Sequence, residues 1–230
     1  MELKILSITG YPMETISLAA GRCYGKDDVS ENRVKTCFNN GHTSVFEHAT
    51  VTFQVSGISR SCSHQLVRHR VASFSQKSQR YTKLTLKDLK EGDWYVTPPY
   101  ILEDRKRKWD YDKDMESVLT NYLGLLDMGV KPEDARFLLP EGTKTDIVCS
   151  MNLREIYHFL DVRLSKNSQW EIRDLAKGLY EELCYKRYDG DAENKETWVQ
   201  WRKLMLLWYD ENREKADNLG VGTGFTHFGD

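Results

Sequence analysis

The sequence contains no run of eighteen apolar residues, which excludes a helical membrane span. Its first residues, MELKILSITG, lack the basic region, long apolar stretch and small-residue cleavage site of a secretory signal. No G-x-x-x-x-G-K-[ST] and no G-x-G-x-x-G occurs, so any phosphate bound here is held by neither a P-loop nor a dinucleotide-binding turn. Cysteine is scarce and scattered: Cys23, Cys37, Cys62, Cys149 and Cys184 are odd in number and never spaced C-x-x-C. That pattern argues against a disulfide framework and a zinc site, and for a reducing compartment. Each cysteine reads as a small buried hydrophobe. No Ser-His-Asp order, reactive-cysteine signature, internal repeat or low-complexity tract appears. There is no basic excess either: 33 Lys and Arg against 35 Asp and Glu leave a net charge of -2. A protein built to coat nucleic acid carries positive charge over its whole domain.

The length of 230 residues fits one large domain or two small ones, and the composition is that of a soluble globular chain, taken as a single domain over residues 1–230. The aromatic share of 11% offsets a mean hydropathy of -0.62, because aromatics carry much of the core burial. LKILSIT (3–9) alternates as a strand, and Val51, Phe53 and Val55 form one face of another that ends at Gly57. Ser30 caps a helix that places Val34, Cys37 and Phe38 on one face, and Asn40-Gly41 stops it. A helix follows Gly57 with Ile58, Cys62, Leu66 and Val67 inward, and residues 71–83 then lose periodicity and read as a polar loop. DWYVTPPY reads as a short extended piece, and residues 104–128 as a helix with Trp109, Met115, Val118, Leu119, Tyr122, Leu125 and Leu126 in register. KPEDARFLLP opens on Pro132 as a short helix. Residues 152–164 form the most legible helix, with Leu153, Ile156, Tyr157, Leu160 and Leu164 at helical spacing. Ser168 and Glu171 predict a capping box for the next helix, and the tail beyond 185 is predicted to be helical. The class is therefore helix-rich α+β with an antiparallel or mixed sheet.

Charge is concentrated in RHRVASFSQKSQRY (68–81), which holds five basic side chains among hydroxyls and amides. Arginine forks match phosphate oxygens, and the neutral donors between them suit an anion-binding concavity. The run DRKRK (104–108) lacks such donors and reads as solvated helix surface. At about 100° per residue, Arg163 falls about 20° from Asn152 at one edge of the apolar stripe of its helix. Arg154, His158 and Asp161 lie together on the far side. A guanidinium near a buried face stays charged and needs an acceptor, from the protein or from a ligand. HTSVFEH (42–48) offers His42, Glu47 and His48, but that spacing does not fit a metal, and His64 and His69 are five apart. No metal is expected.

RHRVASFSQKS fits R-H-R, seven residues, then Ser, and so resembles the signature of the flavin-dependent thymidylate synthases. GHTSVFEH, ARFLLP and NLREIYHFLDVRLSKNSQWEI are similar to three further segments of that family, in the family's order, spanning residues 41–172. The tail 185–230 matches nothing in it. The resemblance implies the fold of the thymidylate synthase-complementing proteins and a cytoplasmic homotetramer whose active sites draw on several subunits. It implies FAD as cofactor, with NADPH and 5,10-methylenetetrahydrofolate as co-substrates, and methylation of dUMP to dTMP without an enzyme nucleophile. Carried over by position, Ser44, Glu47, Arg68, His69, Arg70, Gln76, Asn152, Arg154 and His158 serve FAD. Gln65, Arg68, Gln76, Lys77, Ser78, Gln79, Arg80, Arg136 and Arg163 serve dUMP, and Arg163 activates the uracil. Lys77 stands where the family commonly has an apolar residue, and His158 where asparagine is common. Neither nucleic acid nor membrane is an expected partner.

Overall fold

The computed structural model describes residues 1–185, 192–218 and 220. In chain order the elements are β1 (Glu2–Ile8), α1 (Pro12–Arg22), α2 (Glu31–Asn39), a 3-10 turn (Thr43–His48), β2 (Thr50–Ser59), α3 (Arg60–Leu66) and β3 (Ala72–Gln76). Then come α4 (Leu86–Glu91), α5 (Pro99–Leu102), α6 (Arg105–Asp127), α7 (Pro132–Ala135), a 3-10 turn (Arg136–Leu138) and β4 (Lys144–Asn152). Four helices close the list: α8 (Leu153–Arg163), α9 (Trp170–Tyr185), α10 (Ala192–Glu211) and α11 (Arg213–Asn218). The class is α+β, as expected.

The strands form one sheet in the order β1-β2-β4-β3. Its pairing is antiparallel. Thr9 N–H, just past β1, donates to Thr50 O at the start of β2 (2.9 Å). Leu153 N–H donates to Ala49 O (2.8 Å) and Arg60 N–H to Thr143 O (3.0 Å), so β2 and β4 run in opposite directions. Lys77 N–H, after β3, donates to Asp146 O in β4 (2.9 Å).

The chain divides into two compact units. The first comprises Met1–Glu2, Val55–Arg68 and Phe74–Val148. Its core is Trp94, Met115, Leu119, Tyr122 and Ala135, with Tyr95, Tyr111 and Leu139 packed against it. The second comprises Leu3–Gln54, His69–Ser73 and the described residues from Cys149 onward. It buries Ile16 of α1, Val34 of α2, Phe46, the stripe of α8, the inner face of α9, and Trp201, Leu204 and Trp208 of α10.

Several local expectations hold for the reasons given. Ser30 caps α2, its hydroxyl accepting from Arg33 N–H, and Gly41 takes φ +70, which a residue without Cβ adopts cheaply. Val51, Phe53 and Val55 are fully buried, as are Leu153, Ile156, Leu160 and Leu164, while Tyr157 is nearly so.

Other expectations are corrected. The strand after residue 50 does not stop at Gly57; it continues to Ser59, carrying Ile58, and Ser59 Oγ then caps α3 by accepting from Cys62 N–H (2.9 Å). Helix α3 ends at Leu66, so Val67 lies exposed beyond it. Residues 72–76 are strand β3, not loop. As an edge strand with no fully buried residue, β3 needs no apolar face and therefore shows no apolar alternation in sequence. Pro99 begins α5. Trp109 is exposed, because it lies about 120° round α6 from Met115. Ser168 forms no capping box: its hydroxyl donates to Val162 O, and Gln169 Oε1 accepts from Glu171 and Ile172 N–H instead. The tail contains two helices rather than one, and residues 186–191, 219 and 221–230 lie outside the described residues.

Candidate active site

In the first unit, the residues after β3 form a compact turn. Ser78 O accepts from Tyr81 N–H (3.2 Å) and Thr82 N–H (2.9 Å), and Ser78 Oγ accepts from Arg80 N–H (3.3 Å). The turn directs Arg80 onto Glu133 of α7: Nε and Nη2 both donate to Glu133 Oε2, at 2.9 and 2.8 Å. Arg136 Nε donates to the main-chain carbonyl of the same Glu133 (3.1 Å). Glu133 therefore meets both arginines, Arg80 through its carboxylate and Arg136 through its main-chain carbonyl. Both partners of the Arg80–Glu133 pair are substantially exposed, and such pairs are worth about 0–1 kcal/mol.

A cavity of about 380 Å³ lies beside this group, lined by Arg60, His64, Gln79, Arg136, Phe137, Leu139, Pro140 and Glu141. It brings Gln79 and Arg136 together. Burial pulls the Arg60 guanidinium below the usual arginine range, and nearby Glu141 opposes that shift. Gln76 points its amide inward, Nε2 donating to Ser63 Oγ (2.8 Å) and Thr145 Oγ1 (3.2 Å). Its carbonyl oxygen is what remains for a ligand, so Gln76 can accept but not donate. Lys77 engages β4 through its main chain, and its half-exposed ammonium lies 3.7 Å from Asp146 Oδ2. Gln65 is partly buried near the end of α3, and Arg68 is exposed just past it.

In the second unit, Asn152 caps α8, its Oδ1 accepting from Glu155 N–H (2.9 Å), which leaves its amide NH2 as the donor it can offer outward. Arg154 and His158 are exposed, on the side of α8 away from the stripe, as the helical wheel predicts. Arg154 pairs with Glu47 of the Thr43–His48 turn, where Ser44 is also exposed. Arg70 is exposed. Asp161 is not part of this group, since it accepts from Trp208 Nε1 (2.9 Å).

His69 lies between two charged side chains. It is buried; its Nδ1 is 2.9 Å from Glu155 Oε1, and its Nε2 accepts from Arg163 Nε at 2.9 Å. Burial pushes the His69 pKa below its ordinary value; the Glu155 hydrogen bond opposes this and the Arg163 charge adds to it. The imidazole is therefore neutral, donating from Nδ1 and accepting at Nε2. Among the described residues, His69, Glu155 and His158 are the one group whose ligand atoms lie close enough for a metal, within 4.8 Å. Both His69 nitrogens are engaged, one of them by a permanent cation, so the group forms a hydrogen-bonded chain. Reasoning from sequence missed Glu155. The helical wheel carried no signal for it: Glu155 lies about 160° round α8 from Leu153, away from the apolar stripe, and yet is buried.

Three cysteines are buried as expected, Cys62, Cys149 and Cys184, but Cys23 is exposed and Cys37 half-buried, since neither packs wholly into a core; burial raises the Cys149 and Cys184 thiols to about 12, which makes those two inert.

The family model described as Thymidylate synthase complementing protein matches residues 4–186. The chain is 39% identical over 215 residues to a flavin-dependent thymidylate synthase of Pyrococcus furiosus, covering 89% of this chain and 85% of that one. It is 41% identical over 189 residues to a protein of the same name from Geobacter sulfurreducens, covering 76% and 79%. Among solved structures it resembles the Helicobacter pylori flavin-dependent thymidylate synthase complexed with FAD and dUMP, with a TM-score of 0.65 and 28% identity, covering 79% of this chain and 93% of that one.

Proposed function

The chain belongs to the family of flavin-dependent thymidylate synthases, and on that premise we propose that it converts dUMP to dTMP, with 5,10-methylenetetrahydrofolate as carbon donor and NADPH as reductant through FAD. The observation that carries the reading is the state of Arg163, whose Nε–H is donated to a neutral imidazole near the buried face of α8. A cation so placed is suited to meet negative charge that develops on the uracil ring when N3 is activated. A preorganised donor in a water-poor site stabilises that charge more than water does.

The donor set fits FAD. Ser44, Arg70, Arg154 and His158 present exposed hydroxyl, guanidinium and imidazole groups, the chemistry that holds a pyrophosphate, and Asn152 adds an amide donor. Arg68 and the Gln76 carbonyl are further groups assigned to FAD, and Glu47 orients Arg154. With its side-chain nitrogens engaged, His69 is left to serve FAD through its main chain. When bound, FAD supplies the hydride. The dUMP phosphate falls to Arg80, Arg136, Ser78 and Gln79. Lys77 contributes main chain, and Gln65 and the Gln76 carbonyl oxygen meet the base. Nothing in this scheme needs Ser78 as a nucleophile. The catalytic unit is the whole of residues 1–230, the homotetramer shares its sites between copies, and the enzyme works in the cytoplasm.

An anaerobic assay for dTMP with FAD, NADPH, dUMP and the folate tests this reading; product that requires all four is the expected result. Replacing Arg80 with alanine is expected to raise the dissociation constant for dUMP about 10–100-fold, the worth of a hydrogen bond to a charged group, and to leave FAD affinity within about twofold. Calorimetric titration of each ligand checks it, and equal loss of both contradicts the division of roles.

A further inference from the structure

We propose that Glu155 is a positioning residue: it fixes the tautomer of His69, and His69 in turn sets the direction of the Arg163 guanidinium. The inference rests on the role given to Arg163 above, and it concerns a residue that no segment of the family resemblance assigns.

The polarity of the chain allows one arrangement. An arginine Nε can only donate, and an ionised carboxylate can only accept. A histidine joining the two must donate at one ring nitrogen and accept at the other, which only the neutral form does. Glu155 Oε1 is at Nδ1 (2.9 Å) and Arg163 Nε is at Nε2 (2.9 Å), so the proton sits on Nδ1. With an apolar side chain at 155, the buried Nδ1–H would lose its acceptor and only the Arg163 contact would favour this tautomer. The alternative tautomer carries its proton on Nε2, facing the N–H of Arg163 donor to donor, and would turn the guanidinium away.

The surroundings hold each part in place. Glu155 is 6% exposed, and its main chain is pinned by the Asn152 cap at the first turn of α8. The His69 ring packs edge-on against Phe159, with centroids 5.0 Å apart. The charged and titratable groups facing His69 are Glu155, Arg163 and His158, all from α8. Cys149 of β4 faces Glu155, and burial keeps that thiol neutral. Burying a carboxylate beside an arginine that already has a helical scaffold is costly unless it performs such a task.

The sign of the pH effect follows. Protonating His69 replaces the Nε2 acceptor with a donor and sets two cations together, so activity is lost as pH falls through the His69 pKa. Glu155 raises that pKa. Removing its charge while keeping an acceptor moves the loss to lower pH.

The test uses the full-length, FAD-loaded protein and two variants. Glu155→Gln keeps an acceptor, so its maximal turnover is expected within about threefold of the parent, with the acid limb of the kcat profile displaced to lower pH. Glu155→Leu keeps no acceptor, so kcat is expected to fall about 10–100-fold, as for loss of an outer partner that orients a functional group, with FAD content and KM for dUMP little changed. Histidine 15N spectra of the parent protein, with the His69 signal assigned by its loss in His69→Gln, should show the Nδ1–H tautomer. An Nε2–H or doubly protonated ring at neutral pH overturns the proposal whatever the variants do. So does an unmoved acid limb in Glu155→Gln, or normal kcat in Glu155→Leu. A parent protein that makes no dTMP yet shows the Nδ1–H tautomer would sink the proposed reaction and leave the hydrogen-bonded chain standing.

Discussion

Replacing Arg163 with alanine is expected to leave the protein folded and yellow and to lower dTMP formation by about 10²–10³-fold, the effect of removing one preorganised donor from developing charge. Arg154 and His158, assigned to FAD, are exposed, whereas the half-buried guanidinium of Arg163 is held on His69, whose ring also neighbours His158 (centroids 5.5 Å). Truncation at 163 takes away a cation from the last helical turn, where it complements the helix dipole, so a small stability loss of about 0.3–1 kcal/mol should accompany it. Arg163→Lys should rescue little, because an ammonium supplies charge without the planar fork that the imidazole holds in one orientation. Single-turnover dTMP assays alongside flavin absorbance check this. Near-normal turnover in the alanine variant would remove Arg163 from the chemistry.

The second large effect concerns the tail. Trp201→Ala is expected to destabilise the fold by about 3–5 kcal/mol, the range for removing a large aromatic from a core. Trp201 is fully buried, and its Nε1 donates to Thr9 O (3.0 Å). Its neighbours on α10 are equally engaged. Gln200 Oε1 accepts from Met13 N–H at the start of α1 (3.1 Å), and Tyr157 Oη donates to Leu204 O (2.7 Å). The family model ends at 186, yet α10 supplies a wall of the second unit's core. Urea unfolding monitored by tryptophan fluorescence and circular dichroism reads the change. A loss under about 1 kcal/mol would mean that α10 is an appendage.

How much of this was legible depended on whether burial left a period in the sequence. β2 and α8 were legible because each has one buried face, and Val51, Phe53 and Val55, or Leu153, Ile156 and Leu160, repeat at the corresponding spacing. β3 was not, because an edge strand made of Ala72, Ser73, Phe74, Ser75 and Gln76 buries neither face fully. Trp109 misled for the opposite reason: a large apolar residue need not be inside, and this one lies off the stripe. Local capping chemistry also had two solutions at residues 168–171, and Gln169 took the role expected of Ser168. In the site, the wheel placed Arg163 correctly and separated it from Arg154 and His158. It could not reveal that His69, 94 positions away, would be the group Arg163 meets, nor that Glu155 stands behind it. Long-range pairs of polar side chains leave no period to read.

The exposed pairs Arg80–Glu133 and Arg154–Glu47 bear on the central claim. In each, a carboxylate accepts from a guanidinium, through Nε and Nη2 of Arg80 and through Nη1 of Arg154. The most direct test is a crystal structure of the FAD-loaded protein with dUMP. The account predicts that Arg80 leaves Glu133 for the nucleotide phosphate, with Arg136 beside it, and that Arg163 reaches the pyrimidine while its Nε stays on His69. A nucleotide bound elsewhere, with Arg80 still on Glu133 and Arg163 remote from the base, would contradict it.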